Sequence, residues 1–145
     1  MKAAGFIVAL IVGSLALASC EKKAADSMNF RSAIVGYWKE EKVEWEKNIP
    51  SINITNSGVE TGKNDIQFKG NGTVTKFYDE PHWFSYSVRD SLIYMEEFGN
   101  ANAYRIIVLN STALVLDFVK ENVDWDKDGV PENLYRRFYY RRVRN

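Results

Sequence analysis

The sequence predicts an all-β protein, a small eight-stranded antiparallel up-and-down barrel. Three observations carry that expectation. Apolar and polar residues alternate with period two in one stretch after another, enriched in β-branched and aromatic side chains. Short polar turns join these stretches, which makes consecutive hairpins and hence an antiparallel meander. No long amphipathic helical pattern interrupts them. Such a meander has two raw edges unless it closes, and closure removes them. Eight strands enclose room for side chains or for one small ligand. An open sandwich is the alternative arrangement of the same strands.

The elements follow in order. Met1 and Lys2 precede an uncharged run of 17 residues, Ala3 to Ser19, that ends in small side chains. This is the pattern of a bacterial export signal. The run also sits at the lower limit for crossing a bilayer core of ~30 Å, so a membrane anchor is the competing reading. Glu21 to Ser27 is polar and reads as a tether. Residues 34–46 form the first candidate strand. Residues 47–64 are a long polar link with Pro50, Gly58 and Gly62, either a lid over a barrel mouth or a surface excursion. Ile66 and Phe68 alternate with polar neighbours, and Lys69-Gly70-Asn71-Gly72 supplies the turn residues that tolerate positive φ. Residues 73–78 return. In 82–88, His82, Phe84, Tyr86 and Val88 share one face. Arg89-Asp90-Ser91 turns into 92–97, residues 98–102 turn into 103–109, and Asn110-Ser111-Thr112 turns into 113–121. Residues 134–143 are the eighth strand.

The full chain carries 19 basic and 19 acidic side chains. Removal of the first 19 residues leaves 126, with 18 basic and 19 acidic. That balance gives no general attraction to nucleic acid. Cys20 is the only cysteine, so with its sulfur acylated no disulfide, thiolate zinc site or cysteine nucleophile remains. The domain must be held by its apolar core, and 20 aromatic residues supply one.

Leu17-Ala18-Ser19-Cys20 resembles the lipobox of bacterial lipoproteins. The resemblance implies cleavage before Cys20 and acylation of its sulfur by fatty acids of the palmitate type. The chain then divides into a signal peptide at 1–19, a lipidated N-terminus and tether at 20–29, and a barrel domain at 30–145. Each buried CH₂ contributes ~0.8 kcal/mol, so two or more acyl chains hold a protein firmly on a membrane. Glu21 rather than Asp after the cysteine implies sorting to the outer membrane of a Gram-negative envelope.

A second resemblance covers residues 34–142. Asn29-Phe30 followed by Gly36-Tyr37-Trp38, with Arg31 where the family has Asp, resembles the first-strand signature of lipocalins. Phe68-X-Gly-X-Gly-Thr73 and the hairpin over 104–116 extend it towards the lipocalin-like lipoproteins of Gram-negative bacteria. The resemblance implies a lipocalin-like barrel in which Trp38 packs at the closed end beneath an arginine of the last strand. Arg141, Arg142 and Arg144 are the candidates.

Alternation places Ile66, Phe68, Phe84, Tyr86, Tyr94, Tyr104, Ile106, Leu114, Leu116 and Phe118 inside the barrel. These side chains either fill it or line a pocket for an apolar ligand. The candidate ligand-contacting residues are Trp38, Phe68, Phe84, Tyr86, Tyr94, Tyr104, Leu116 and Phe118. The phenols among them need partners for their hydroxyls, which pockets supply.

Asp124-Trp-Asp126-Lys-Asp128-Gly129-Val130-Pro-Glu132 is the sharpest chemical motif. Acids at positions 1, 3, 5 and 9, Gly at 6 and a carbonyl at 7 resemble a calcium loop. Tyr135 stands where a bidentate Glu should be, and strands flank the loop, so it is not an EF-hand. Asp124, Asp126, Asp128, Val130 and Glu132 are the candidate calcium ligands. A solvated acidic turn, or pairing with the arginines at 136, 137, 141, 142 and 144, is the alternative.

Enzymatic chemistry is not expected. His82 is the only histidine, and the adjacent pairs Glu40/Glu41 and Glu96/Glu97 each split across a strand. Two functions remain. One is a membrane-anchored lipocalin-like lipoprotein that binds a small apolar or amphipathic ligand without a required cofactor. The other is an envelope interaction module with a solid core, braced by calcium, whose loops bind a protein or glycan.

Overall fold

The computed structural model describes residues 30–124 and 127–143. It consists of nine antiparallel strands: β1 (Gly36–Ile49), β2 (Ile54–Thr61), β3 (Asp65–Phe68), β4 (Thr73–Phe77), β5 (Pro81–Arg89), β6 (Leu92–Glu97), β7 (Asn100–Leu109), β8 (Ala113–Val123) and β9 (Glu132–Val143). Each strand from β3 to β9 pairs with the next, and β9 pairs with β1 along almost its whole length. Pairing of Trp38 with Ile66 joins β1 to β3 and completes an eight-stranded closed barrel. The predicted barrel is therefore present, with β2 as one strand beyond it.

That extra strand corrects the reading of 47–64 as an unstructured link. β1 runs on to Ile49, the chain turns through a 3₁₀ segment (Pro50–Ile52) and Asn53 at φ 51°, and β2 returns with Ile49 opposite Ile54 and Lys42 opposite Thr61. The strand was invisible because it buries almost nothing, so no apolar alternation marks it. Its one close contact is Gly58, where a Cβ would lie 2.8 Å from the Trp45 ring. The hairpin tightens elsewhere too. β7 begins at Asn100, so Phe98 (φ 49°) and Gly99 (φ 79°) alone make the turn assigned to 98–102.

The barrel has two different ends. A helical turn over 30–34 plugs the first, with Ile34 fully buried. Trp38 is also fully buried and donates its indole N–H to the Ile34 carbonyl at 2.7 Å. Arg142 lies across the Trp38 ring at 4.3 Å and donates to the carbonyls of Ala33 and Val35. Of the three candidate arginines, Arg142 therefore covers the tryptophan. Ile66, Phe68, Val74, Ile93, Met95, Leu114 and Leu116 fill the space behind it. Apolar burial of this kind stabilises by ~25 cal/mol per Å².

A β-bulge between Glu40 and Lys42 separates this filled end from the other. The extra residue flips the strand's parity: Trp38 and Glu40 face inward below it, Val43 above. Asp65 braces the bulge, accepting from the Tyr37 hydroxyl at 2.7 Å and from the Glu40 amide at 3.0 Å. Burial and then Asp65 push the Tyr37 phenol up to about 12.

Candidate functional site

The second end is hollow. A cavity of about 440 Å³ opens between the β1–β3 connection, the Phe98 turn and the upper parts of β8 and β9. Its volume lies in the ordinary range for small-molecule sites, ~300–1,000 Å³. The barrel interior is thus filled at the Trp38 end and open at this one, which divides the two readings between the two ends.

The floor is a buried polar cluster. Glu97 forms an ion pair with Lys76 and accepts from the Tyr104 hydroxyl at 2.8 Å and the Asn102 amide at 2.9 Å. Lys76 also donates to the Tyr104 oxygen at 3.1 Å. Burial pulls the Lys76 ammonium down from its ordinary pKa, while Glu97 and then Glu40 pull it back up. Burial, followed by Glu97, raises the Tyr104 phenol strongly. The wall opposite carries Glu40, which is 3 % exposed. Its Oε2 accepts the backbone N–H groups of Lys63 and Asn64 at 2.8 and 2.9 Å, while Oε1 is buried without a hydrogen bond. Gly62 makes this approach feasible, since a Cβ there would collide with the Glu40 backbone. Burial and then Glu40 raise Tyr140 well above the ordinary phenol range.

Aromatic rings complete the walls. Tyr104 stacks on Phe118 at 5.1 Å and meets Phe138 edge-on at 6.1 Å. At the rim, Phe98 is 67 % exposed and touches the rings of Tyr78, His82 and Phe84. The single histidine thus sits inside an aromatic cluster. Burial and then Glu97 push the Tyr78 phenol up to about 12. Lys120 and Arg136 line the β8–β9 side.

Of the residues expected to contact a ligand, Tyr104 and Phe118 line this cavity. Trp38, Phe68, Tyr86 and Leu116 belong to the filled core, with Phe84 against it. Tyr86 satisfies its hydroxyl on the Lys69 carbonyl at 2.8 Å. Tyr94 corrects the inward assignment. It is 37 % exposed on the outer face, because β6 turns Ile93, Met95 and Glu97 inward. The charged residues of the cavity are absent from the expected ligand contacts, although the pairs Glu40/Glu41 and Glu96/Glu97 do split across their strands, with Glu40 and Glu97 inward. Their signal is parity: Glu40 follows Trp38 by two, Lys76 follows Val74 and Glu97 follows Met95.

The acidic loop is engaged locally. Asp124 accepts the Gly129 amide at 3.0 Å and Asp128 the Val130 amide at 2.8 Å. Glu132 is 2 % exposed and forms an ion pair with Lys47. Asp126 lies outside the described residues, as do Cys20 and Arg144. Among the described residues no group of three or more His, Cys, Asp or Glu side chains is placed to hold a metal. The arginines pair elsewhere: Arg137 grips Asp117 through two bonds of 2.6 and 2.8 Å, and Arg141 reaches Glu41 at 3.0 Å.

No family model, no curated protein and no solved structure matches this chain.

Proposed function

We propose that this chain is a binding protein of the bacterial envelope, tethered by lipid on Cys20, that holds a small amphipathic molecule in the open end of its barrel. One observation carries the reading: a cavity of about 440 Å³ in which aromatic walls meet a buried charged floor. Rings offer area to an apolar body, and a few fixed polar groups orient a head, as small-molecule sites require. The helical turn over 30–34 lies at the Trp38 end of the barrel, opposite the cavity. Native mass spectrometry of protein purified from its own host is the test. A discrete co-purifying mass of amphiphile size is expected, and a bare acylated polypeptide refutes the reading. Palmitate labelling lost in Cys20→Ser tests the anchor.

A second reading, a docking module for a protein or glycan, draws on the hairpin of β1 and β2. Ile52, Ile54 and Val59 stand exposed there, and among the described residues β2 pairs with β1 alone. Replacing Ile52, Ile54 and Val59 with Ser abolishes partner capture under this reading and leaves ligand retention intact under the first.

A further inference from the structure

Resting on the reading of the open end as a ligand site, we infer that the ligand carries an ammonium group, which binds between Glu40 and the aromatic wall. Two buried acceptors at the cavity have unmet needs. Glu40 uses Oε2 on two backbone amides, and its buried Oε1 has no hydrogen-bond donor. Asn102 repeats the pattern, donating to Glu97 while its buried Oδ1 goes unsatisfied. Buried acceptors without donors are costly, and a charged one most of all. A ligand head that donates several hydrogen bonds and brings a positive charge relieves both. An ionised carboxylate head has no proton to donate to Glu40 Oε1 or Asn102 Oδ1.

The walls point the same way. Tyr104, Phe118, Phe138 and Tyr140 line one cavity, and aromatic rings attract cations, as Lys76 over Tyr104 at 4.8 Å and Lys120 over Phe118 at 5.8 Å do here. Three cationic side chains also line it. Lys76 is held by Glu97 and Tyr104, and Lys120 and Arg136 sit on the β8–β9 side.

Matched probes separate head from tail. The full acylated chain in phosphatidylcholine nanodiscs is titrated calorimetrically with octylammonium, octanoate and octanol at neutral pH, with empty discs subtracted. Octylammonium is expected to bind at least tenfold tighter than octanoate. Glu40→Gln keeps an oxygen for the Lys63 and Asn64 amides, and is expected to weaken octylammonium about tenfold while leaving octanol unchanged. Octanoate binding as tightly as octylammonium overturns the inference but leaves the cavity reading standing. Octylammonium preference that survives Glu40→Gln overturns the role of Glu40. No probe binding above the empty discs overturns the cavity reading itself. The ranking on the unsubstituted chain needs no variant to fold.

Discussion

Glu97→Gln removes the carboxylate that is ion-paired with buried Lys76. The amide oxygen still accepts from Tyr104 and Asn102, so the hydrogen-bonded frame stays and the charge alone is lost. Deleting one member of a buried ion pair costs ~3–5 kcal/mol, because the other is left uncompensated. An independent ceiling comes from the lysine itself. It can escape by losing its proton, and neutrality at pH 7 from an unfolded pKa of ~10.4 costs ~4.6 kcal/mol at ~1.36 kcal/mol per unit. The two routes agree on ~3–4.6 kcal/mol, or ~10–25 °C in melting temperature for a domain of this size. The sign with pH follows from the same lysine. Its folded pKa is already depressed by burial, and without Glu97 it falls further. Wherever the unfolded chain keeps a lysine proton that the folded chain has lost, the stability of the variant rises with pH. Its deficit against the parent narrows between pH 7 and ~10, where the unfolded lysine also gives up its proton. Lys76→Met with Glu97→Gln recovers most of the loss, since an uncharged pair carries no such penalty. Urea and thermal unfolding followed by circular dichroism measure all three. A single-variant loss below ~1 kcal/mol, a deficit flat from pH 7 to 10, or a double variant as unstable as the single refutes the reasoning.

Three further outcomes are expected. Arg142→Ala strips the cation from Trp38 and frees the Ala33 and Val35 carbonyls, costing ~1–3 kcal/mol, with a red shift in tryptophan emission; unchanged emission counts against the closed end as drawn. Gly62→Ala forces a methyl group into the Glu40 backbone and costs ~1–3 kcal/mol in urea unfolding, whereas Gly70→Ala, with open space around it, costs far less; equal effects would show that the close approach does not matter. Calcium at millimolar concentration is expected to leave the melting temperature unchanged, because Glu132 is buried in an ion pair with Lys47; a rise that Asp128→Asn removes would show that the acidic loop holds the ion.

The chain's own pattern determined the barrel. Alternation at Ile66 and Phe68, at Leu114, Leu116 and Phe118, and the turn residues at 69–72, 90–91 and 110–112 are local signals. The strands they mark stand where expected because each must bury one face. Asn110 illustrates the turn chemistry, its side chain accepting the amides of Thr112 and Ala113 at 2.9 and 2.8 Å. Where burial is absent the signal is absent too, and β2 went unseen for that reason. Tyr94 failed for the opposite reason: aromatic character suggested the interior, while the parity of its own strand put it outside.

The candidate site was decided by the tertiary structure. Glu40, Lys76 and Glu97 come from three strands, separated by 36 and 21 positions in sequence, and each alone reads as a surface charge. Closure of the barrel brings all three to one cavity, where Glu40 keeps the inward parity of Trp38 up to the bulge that follows it. The choice of Arg142 over Arg141 is of the same kind, since register in a closed sheet, set by every strand at once, selects which arginine meets Trp38. Local periodicity is written in neighbouring residues and can be read from them. Which buried charges face one another depends on how the sheet closes, and that is a property of the whole chain.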